Sequence, residues 1–347
     1  MQTKEPSVGV VILNYNGRNL LEKFLPSVVN TTYPNTSIYV ADNASTDDSC
    51  GWLAQNHPHV RLIQLPQNFG FAEGYNQALR QVDTDYYVLL NSDVEVEADW
   101  IAPIVAWMEL HEKIGICQPK LLSYAQKDHF EYAGAAGGWV DIFGYPFARG
   151  RVFETVEKDN GQFDENAPVF WASGAALFIK RKVWEEVGGF DGYLFAHQEE
   201  IDLCWRAQLA GYQIYYCYGS KVYHVGGGTL HKSNPQKTYL NLRNSLIVLA
   251  KNLPAGQAFN KLFCRLALDG ILGVRLFLGG QFREVWAVVK SHLGFYKWLF
   301  TRKRKSLFPR KPLGQLQGTV NQSIVWAYFL RNKKTFSEIL PKKIRKF

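Results

Sequence analysis

The sequence has few cysteines, and their positions would neither crosslink a fold nor hold a metal. Its 347 residues include five cysteines, which are scattered along the chain and form no CxxC pair. This spacing argues against a disulfide framework and a structural zinc site, and it favours a reducing compartment. The N-terminus lacks a basic segment followed by a long apolar core, so we expect no signal peptide.

Acidic residues are scarce in the last third of the chain. Residues 251–347 contain 20 Lys and Arg but 3 Asp and Glu, a local net charge of +17. The first 250 residues carry a local net charge of −9, so that the whole chain has a net charge of +8. This asymmetry predicts a basic C-terminal region that contacts an anionic surface. The chain has no recognisable nucleic-acid-binding motif, so we expect no nucleic-acid partner.

The same region lacks a clearly membrane-spanning pattern. Apolar residues recur at helical spacing over residues 259–278 and 285–296, but charged residues interrupt both stretches. We therefore predict no spanning helix. Basic amphipathic helices with Trp and Phe are typical of the membrane interface, and the basic runs 302–305 and 342–346 would strengthen attraction to anionic lipid. Packing of these helices on the rest of the protein is the alternative.

The first hundred residues, in contrast, alternate between short apolar runs and helical patterns. The apolar runs predict four strands, at residues 8–13, 38–41, 61–65 and 86–90. Helical spacing follows the first run, a helix is expected to begin at residues 45–48, and another pattern follows residues 68–71. This alternation predicts an α/β fold with a parallel sheet of βαβ units.

Polar side chains stand at or just after the ends of the four predicted strands. They are Asn14, Asp42, Asn68, and Asn91 with Asp93. Each could be an ordinary turn residue. Because the carboxyl ends of parallel strands meet at one edge of a sheet, where ligands bind, their convergence favours a nucleotide-type site. A divalent cation prefers carboxylate oxygen and shares its remaining positions with substrate phosphates, which makes Asp93 a candidate metal ligand.

Seven segments of the chain follow the order of one known family. They are VVILNYNG, VADNASTDDS, NFGFAEGYNQA, LLNSDV, WASGAALFIKR, GGFD and EEIDLCWRAQLAGY, and they lie between about Val8 and Gly228. Together they resemble the family 2 glycosyltransferases, of the bacterial rhamnosyltransferase-like type. The resemblance implies a GT-A fold, with a Rossmann-like mixed sheet flanked by helices.

The resemblance also implies a division of the chain and a reaction. We expect a catalytic domain over residues 1–235, with a nucleotide-sugar half to about residue 100 and an acceptor half after it. A basic amphipathic helical region would occupy residues 236–347. The implied enzyme is inverting and depends on Mg²⁺ or Mn²⁺. It would move a sugar from a UDP- or dTDP-linked donor to a saccharide or lipid-linked saccharide, in cell-surface polysaccharide synthesis.

The site residues implied by the resemblance fall into four groups. Asp42 would accept hydrogen bonds from the base of the donor, and the wider donor-binding set is Asn14, Asp42, Asn43, Asn68, Gly70, Asn76, Asn91 and Asp93. The metal ligands would be Asp93 and His224. The acceptor would be bordered by Trp171, Ser173 and Gly174. The first position of the family's DxD motif is Asn91 here, so Asp93 is the one charged ligand that this motif offers.

The family's catalytic Glu-Asp pair corresponds to Glu199-Glu200. Glu200 stands at the position of the general base, and Glu199 is the lesser candidate. The residue types suit the chemistry, because a metal neutralises the departing diphosphate and a carboxylate takes the proton of the acceptor hydroxyl. Asp202 can pair with Arg206 four residues later, whereas Glu200 has no such partner. We therefore expect neighbouring carboxylates to raise the pKa of Glu200.

Other functions would use the same features differently. A degenerate domain that binds nucleotide-sugar or glycan, or acts as a membrane scaffold, is compatible with Asn91 and Glu200. A nucleotidyltransferase would need a Gly-rich basic loop after the first strand, where this chain has NYNGRNL. A glycosidase needs a carboxylate pair across an open sugar cleft and would not explain the polar sheet edge. The favoured location is the cytoplasm, peripheral on the inner face of the membrane.

Overall fold

A mixed β-sheet forms the centre of the protein and carries helices on both faces. The computed structural model describes residues 5–226, 234–301 and 306–340, so the basic runs 302–305 and 342–346 lie outside the described residues. The strands of the N-terminal part are β1 (Val8–Asn14), β2 (Thr36–Asp42), β3 (Arg61–Gln64), β4 (Tyr86–Asn91) and β5 (Val94–Val96). Its helices are α1 (Arg18–Val29), α2 (Ser49–Asn56), α3 (Gly70–Leu79) and α4 (Ala102–Leu110).

The middle of the chain completes the central sheet and adds a small one. The strands are β6 (Ile114–Ser123), β7 (Gly138–Val140), β8 (Pro146–Ala148), β9 (Arg151–Val152), β10 (Thr155–Val156), β11 (Ala167–Pro168), β12 (Ala176–Lys180) and β13 (Gln213–His224). Strands β7 to β10 form the small antiparallel sheet. The helices are α5 (Arg181–Val187) and α6 (Glu199–Leu209).

The order of strands in the central sheet is β11-β13-β6-β12-β4-β1-β2-β3, with β5 beside β13. The predicted parallel unit is confirmed, because β1 pairs in parallel with β2 and β4, and β2 with β3. The mixed character comes from β12, which is antiparallel to β4 and β6. Strands β1 and β4 are buried almost throughout, as central strands covered on both faces must be.

One local prediction differs from the structure. The helix expected at residues 45–48 begins at Ser49, because the preceding residues form turns. Asp42 accepts a hydrogen bond from the backbone N–H of Ser45, and Asp47 accepts one from that of Ser49.

The C-terminal part is helical. Its helices are α7 (Pro235–Asn252), α8 (Ala255–Leu278), α9 (Phe282–Thr301), α10 (Ile324–Phe329) and α11 (Phe336–Ile339). Helix α7 packs on the central fold and buries Leu246, Ile247 and Leu249. Helices α8 and α9 form an antiparallel pair that leaves many large apolar side chains exposed. Among the described residues, no helix has the length and apolar content needed to cross a membrane.

Candidate active site

Asn14 and Asp42 end adjacent strands and lie side by side. They are register partners in the pairing of β1 with β2, and the Asn14 amide donates to Asp42 Oδ1 at 3.1 Å. The backbone N–H of Ser45 donates to the other oxygen of Asp42 at 2.9 Å. Both side chains are buried, and among the described residues no donor pairs with Asn14 Oδ1. A Cβ at Gly17 would lie 2.3 Å from that oxygen, so glycine permits the close approach.

Asn43 joins the end of β2 to the start of α3. Its amide donates to Asn68 Oδ1 and to the carbonyl of Gly70, both at 3.0 Å, while its own oxygen accepts from the N–H of Phe69 at 2.9 Å. Gly70 has a φ of +74°, and a Cβ there would lie 2.4 Å from the ring of Phe195. These three predicted donor residues therefore form one hydrogen-bonded connection at the sheet edge.

Asn76 contacts a different part of the protein. It receives a hydrogen bond from the N–H of Phe190 at 2.9 Å and donates to the carbonyl of the same residue at 3.0 Å. The amide thus fixes the turn after α5. Its predicted contact with the donor stays a prediction.

Asp93, Asn91 and His224 meet just beyond the end of β4. His224 Nε2 lies 3.1 Å from Asp93 Oδ1 and 3.4 Å from the amide nitrogen of Asn91. The pairing of β5 with β13 causes this meeting, because it places His224 opposite Val94. On the other side of the ring, Nδ1 lies 3.3 Å from Glu131 Oε2. All three ionisable side chains are buried, and the two carboxylates raise the pKa of His224 against the opposing effect of burial.

Asp93 and His224 fit a shared divalent cation. Carboxylate oxygen and imidazole nitrogen are both ligands of divalent cations, and Asp93 Oδ1 and His224 Nε2 lie 3.1 Å apart. The described residues contain no cluster of three or more His, Cys, Asp or Glu arranged to hold a metal. The predicted roles of Asp93 and His224 as metal ligands stay predictions.

The carboxylate pair begins α6 after a strained loop. The backbone φ angles of Phe195, His197 and Gln198 are positive, between 66° and 72°. Residues other than glycine adopt this conformation at a cost of about 1–3 kcal/mol each. Two sets of contacts hold this loop. The carbonyl of Phe195 accepts hydrogen bonds from the first N–H groups of α3 at 3.0 Å. Asn244 of α7, which is buried, donates to the carbonyls of Leu194, Ala196 and His197.

Glu199 and Glu200 lack the partners that their neighbour has. Asp202 pairs with Arg206 at 2.8 Å, as expected, and also with Lys251 of α7 at 2.9 Å. Glu199 is buried and Glu200 partly buried, and within the part of the chain that the structure describes, one oxygen of each has no hydrogen-bond partner.

Burial raises the pKa of both glutamates, and that of Glu200 to about 7. The direction that we predicted for Glu200 is therefore found, but its main cause is burial rather than neighbouring charge. The negative charge of Glu200 contributes, after burial, to the raised pKa of Glu199.

The pair lies close to the end of β4. The hydroxyl of Tyr75 donates a hydrogen bond to the carbonyl of Leu90 at 3.1 Å. The pKa of Tyr75 is raised mainly by burial, and the charge of Glu199 contributes to the increase. Tyr75 thus connects the surroundings of Glu199 with Leu90 near the end of β4, three residues before Asp93 in the sequence. One sheet edge carries a carboxylate pair and an Asp–His pair.

The three predicted acceptor residues are mostly inside the protein. Trp171 and Ser173 are 3% and 2% exposed, and the indole N–H of Trp171 donates to the carbonyl of Trp139 at 3.2 Å. The N–H of Ser173 donates to Gln118, and Gly174 lies beside Phe71. Their contact with an acceptor stays a prediction.

Sequence reasoning missed two residues that support this site, Glu131 and Asn244. Glu131 lies in the segment 123–168, which has no clear periodicity. Asn244 could have been recognised from the sequence, because it is a polar residue beside the apolar run of α7. In the structure it is fully buried.

The fold and these side chains define an α/β protein with its polar site at the carboxyl edge of a mixed sheet, the usual position for binding nucleotides. The family model "Glycosyl transferase family 2" matches residues 9–188, more than half of the chain. The chain therefore belongs to this family and has a role in glycosyl transfer, which confirms the expectation drawn from its motifs.

The chain is also similar to a curated protein and to a solved structure. An N-acetylglucosaminyl-diphospho-decaprenol L-rhamnosyltransferase of Mycobacterium tuberculosis is 27% identical over 233 residues, which cover 62% of this chain and 75% of that protein. The structure of GalNAc-T7 with UDP, GalNAc and Mn²⁺ matches with a TM-score of 0.57 and 17% identity, over 72% of this chain and 48% of that one. Less than half of that chain is therefore matched.

A second solved structure covers more of both chains. The mannosyltransferase PcManGT from Pyrobaculum calidifontis, in complex with GDP-Man and Mn²⁺, matches with a TM-score of 0.51 and 15% identity. The match covers 85% of this chain and 88% of that one. These similarities confirm the predicted GT-A fold.

Proposed function

We propose that the protein is an inverting, metal-dependent glycosyltransferase that moves a sugar from a nucleotide diphosphate to a lipid-linked saccharide. The observation that carries this proposal is the carboxylate pair at the start of α6, which among the described residues keeps one free oxygen on each member, together with the contact between Asp93 and His224 after β4. A partly buried carboxylate with one free oxygen suits a general base, and an Asp–His pair suits a cation shared with a diphosphate.

Glu200 is the general base in this proposal. Its carboxylate takes the proton of an acceptor hydroxyl, whose oxygen forms a bond to the anomeric carbon of the donor sugar. The bond from that carbon to the diphosphate breaks, and the nucleotide diphosphate leaves with the electron pair. Attack from the face opposite the leaving group inverts the configuration. A pKa of about 7 suits proton transfer near neutral pH.

Asp93 and His224 would hold a divalent cation, Mg²⁺ or Mn²⁺. The metal, when bound, neutralises the charge that develops on the diphosphate. Asn14 and Asp42 receive the nucleoside at the neighbouring strand ends, where Asn14 Oδ1 offers an unused acceptor. The Mn²⁺ named with two structural relatives supports the choice of a divalent cation.

The acceptor and the location follow from other observations. The mycobacterial relative is named for a substrate in which a sugar is joined to a lipid through a diphosphate. Helices α8 and α9 expose large apolar side chains, among them Phe259 at 74% and Leu278 at 79%, in the basic part of the chain. Such helices suit a peripheral position on the anionic inner face of a membrane.

A donor-turnover assay tests this function. Purified protein is mixed with UDP- or dTDP-linked sugars, Mn²⁺ or Mg²⁺, and lipid-linked saccharide in vesicles, and the release of nucleotide diphosphate is measured. The proposal expects release that depends on both the acceptor and the metal, with an inverted product. Binding of donor without any release would support the degenerate binding protein instead.

A further inference from the structure

A groove between α7 and α9 lies outside the residues assigned above. Its volume is about 540 Å³, and its walls include Tyr239 of α7 and Trp286 and Leu293 of α9. Two small residues of α9, Ala287 and Gly294, allow the helices to approach, since a Cβ at Gly294 would lie 2.9 Å from the Tyr239 hydroxyl.

Three cations line this groove at a regular interval. Arg283, Lys290 and Lys297 are separated by seven residues each, which is nearly two helical turns, so they lie along one face of α9. All three are exposed. Over residues 5–226, 234–301 and 306–340, none of the three forms an ion pair with an acidic side chain.

An apolar stripe runs beside these cations. Phe282, Val289 and Tyr296 each precede one of the three cations, and all three apolar side chains are at least 40% exposed. Trp286 and Leu293 are more than half exposed and lie within the groove itself. The surface therefore offers positive charge and apolar contact along the same line, which matches a ligand with an anionic head and a hydrocarbon chain.

The groove connects with the loop before the catalytic pair. The guanidinium of Arg243 donates to the Tyr239 hydroxyl at 3.3 Å and, through its other nitrogen, to the carbonyls of Tyr193 and Leu194 at 3.2 Å. Asn244, which holds the same loop, lies about 7.5 Å from Tyr239 along the helix axis, at 1.5 Å per residue. The wall of the groove is therefore joined through Arg243 to the loop that precedes α6.

We propose that this groove binds the diphosphate of the lipid-linked acceptor, with Arg283, Lys290 and Lys297 contacting the phosphates and the apolar stripe of α9 contacting the lipid chain. This inference rests on the proposed function, whose acceptor it specifies. A concave site with cations on its wall fits a discrete head group, whereas a flat bilayer surface would contact only the rim. Charge-assisted hydrogen bonds from Arg and Lys are the usual means of holding phosphate.

Vesicle binding by the full-length protein tests this proposal. Neutral phosphatidylcholine vesicles contain either a sugar-free polyprenyl diphosphate or phosphatidylglycerol at equal charge, and no donor is present. The test variant is R283Q/K290Q/K297Q. The control variant, R275Q/K311Q/R331Q, removes three cations of the C-terminal region that lie outside the groove.

The groove variant should bind diphosphate-lipid vesicles about a hundredfold more weakly than the wild type, since each cation near a phosphate contributes about fivefold. Its binding to phosphatidylglycerol vesicles should change no more than that of the control variant. Unchanged affinity for diphosphate lipid, or an equal loss on both kinds of vesicle, would overturn the proposal. Circular dichroism melting confirms that both variants are folded.

The result is independent of catalysis. Because the vesicle assay contains no donor, it can succeed or fail whatever the wild-type protein does in the turnover assay. Absence of sugar transfer by the wild type would contradict the proposed function. Loss of selective diphosphate-lipid binding alone would contradict the groove assignment.

Discussion

Glu131 lies 3.3 Å from the Nδ1 atom of His224, on the side of the ring opposite Asp93. A carboxylate in this position orients a metal-binding imidazole and increases its basicity, and removing such a partner usually lowers metal affinity about 10–100-fold. We expect Glu131→Gln to weaken Mn²⁺ binding within this range in a calorimetric titration with nucleoside diphosphate present. Asp128→Asn, in the same segment but exposed, should leave the affinity unchanged. Equal Mn²⁺ affinities for the wild type, Glu131→Gln and Asp128→Asn would show that Glu131 does not support metal binding.

Asp93 and Asn91 should respond to substitution in opposite directions. Asp93→Asn removes the carboxylate of the strand end and should abolish metal-dependent transfer while the protein stays folded. Asn91→Asp adds a second carboxylate near His224 and should tighten metal binding, because divalent cations prefer charged oxygen ligands. The measurement is the rate of transfer as a function of Mn²⁺ concentration. Near-normal turnover by Asp93→Asn in the presence of EDTA would contradict the role of the metal.

Asn244 should matter for both stability and rate. Its amide donates to three carbonyls of the loop before Glu199, of which that of Leu194 also accepts from Arg243, and leaving the partly buried carbonyls of Ala196 and His197 without this donor costs about 1–3 kcal/mol. Asn244→Ala should lower the free energy of unfolding by this amount in urea and should also slow single-turnover transfer. Asn241→Ala is the matched control, since that amide contacts the carbonyl of Lys237 within the same helix. Similar losses in both variants would argue against a special role for the loop contact.

Membrane binding should depend on the exposed apolar side chains of α8. Ile271, Phe277 and Leu278 are between 57% and 79% exposed, and burial of each such side chain in lipid contributes about 1.5–3 kcal/mol. The triple change of these residues to Ser should reduce flotation with anionic vesicles, and added salt should reduce flotation of the wild type. Leu110→Ser, on the exposed end of α4, serves as a control. Undiminished flotation of the triple variant would show that these side chains of α8 do not contact the membrane.

The strands and the polar residues at their ends could be predicted from the sequence because the patterns that indicate them are local. Apolar runs that end in Asn14, Asp42 and Asn91 mark buried strands, and parallel pairing then brings their ends together without further information. The turn at residues 45–48 looked like a helix start because Ser, Thr and Asp favour both structures.

The supporting contacts could not be predicted because they join distant segments. Glu131 reaches His224 across 93 residues of sequence, and Asn244 reaches the loop before α6 across almost 50. The cause of the pKa of Glu200 was also inaccessible, since burial is a property of the folded chain and not of the local charge pattern. Both cases depend on tertiary packing.

The central claim is that Glu200 is the general base, and single-turnover transfer measured against pH tests it most directly. The carboxylate must be deprotonated to accept a proton, so the wild-type rate should rise with pH and level off above about 7. Glu200→Gln should bind donor normally, lose about 10²–10⁴-fold in rate and lose this pH dependence, while Glu199→Gln should lose less. A Glu200→Gln protein that transfers sugar at near the wild-type rate, or that keeps the same pH profile, would contradict the account.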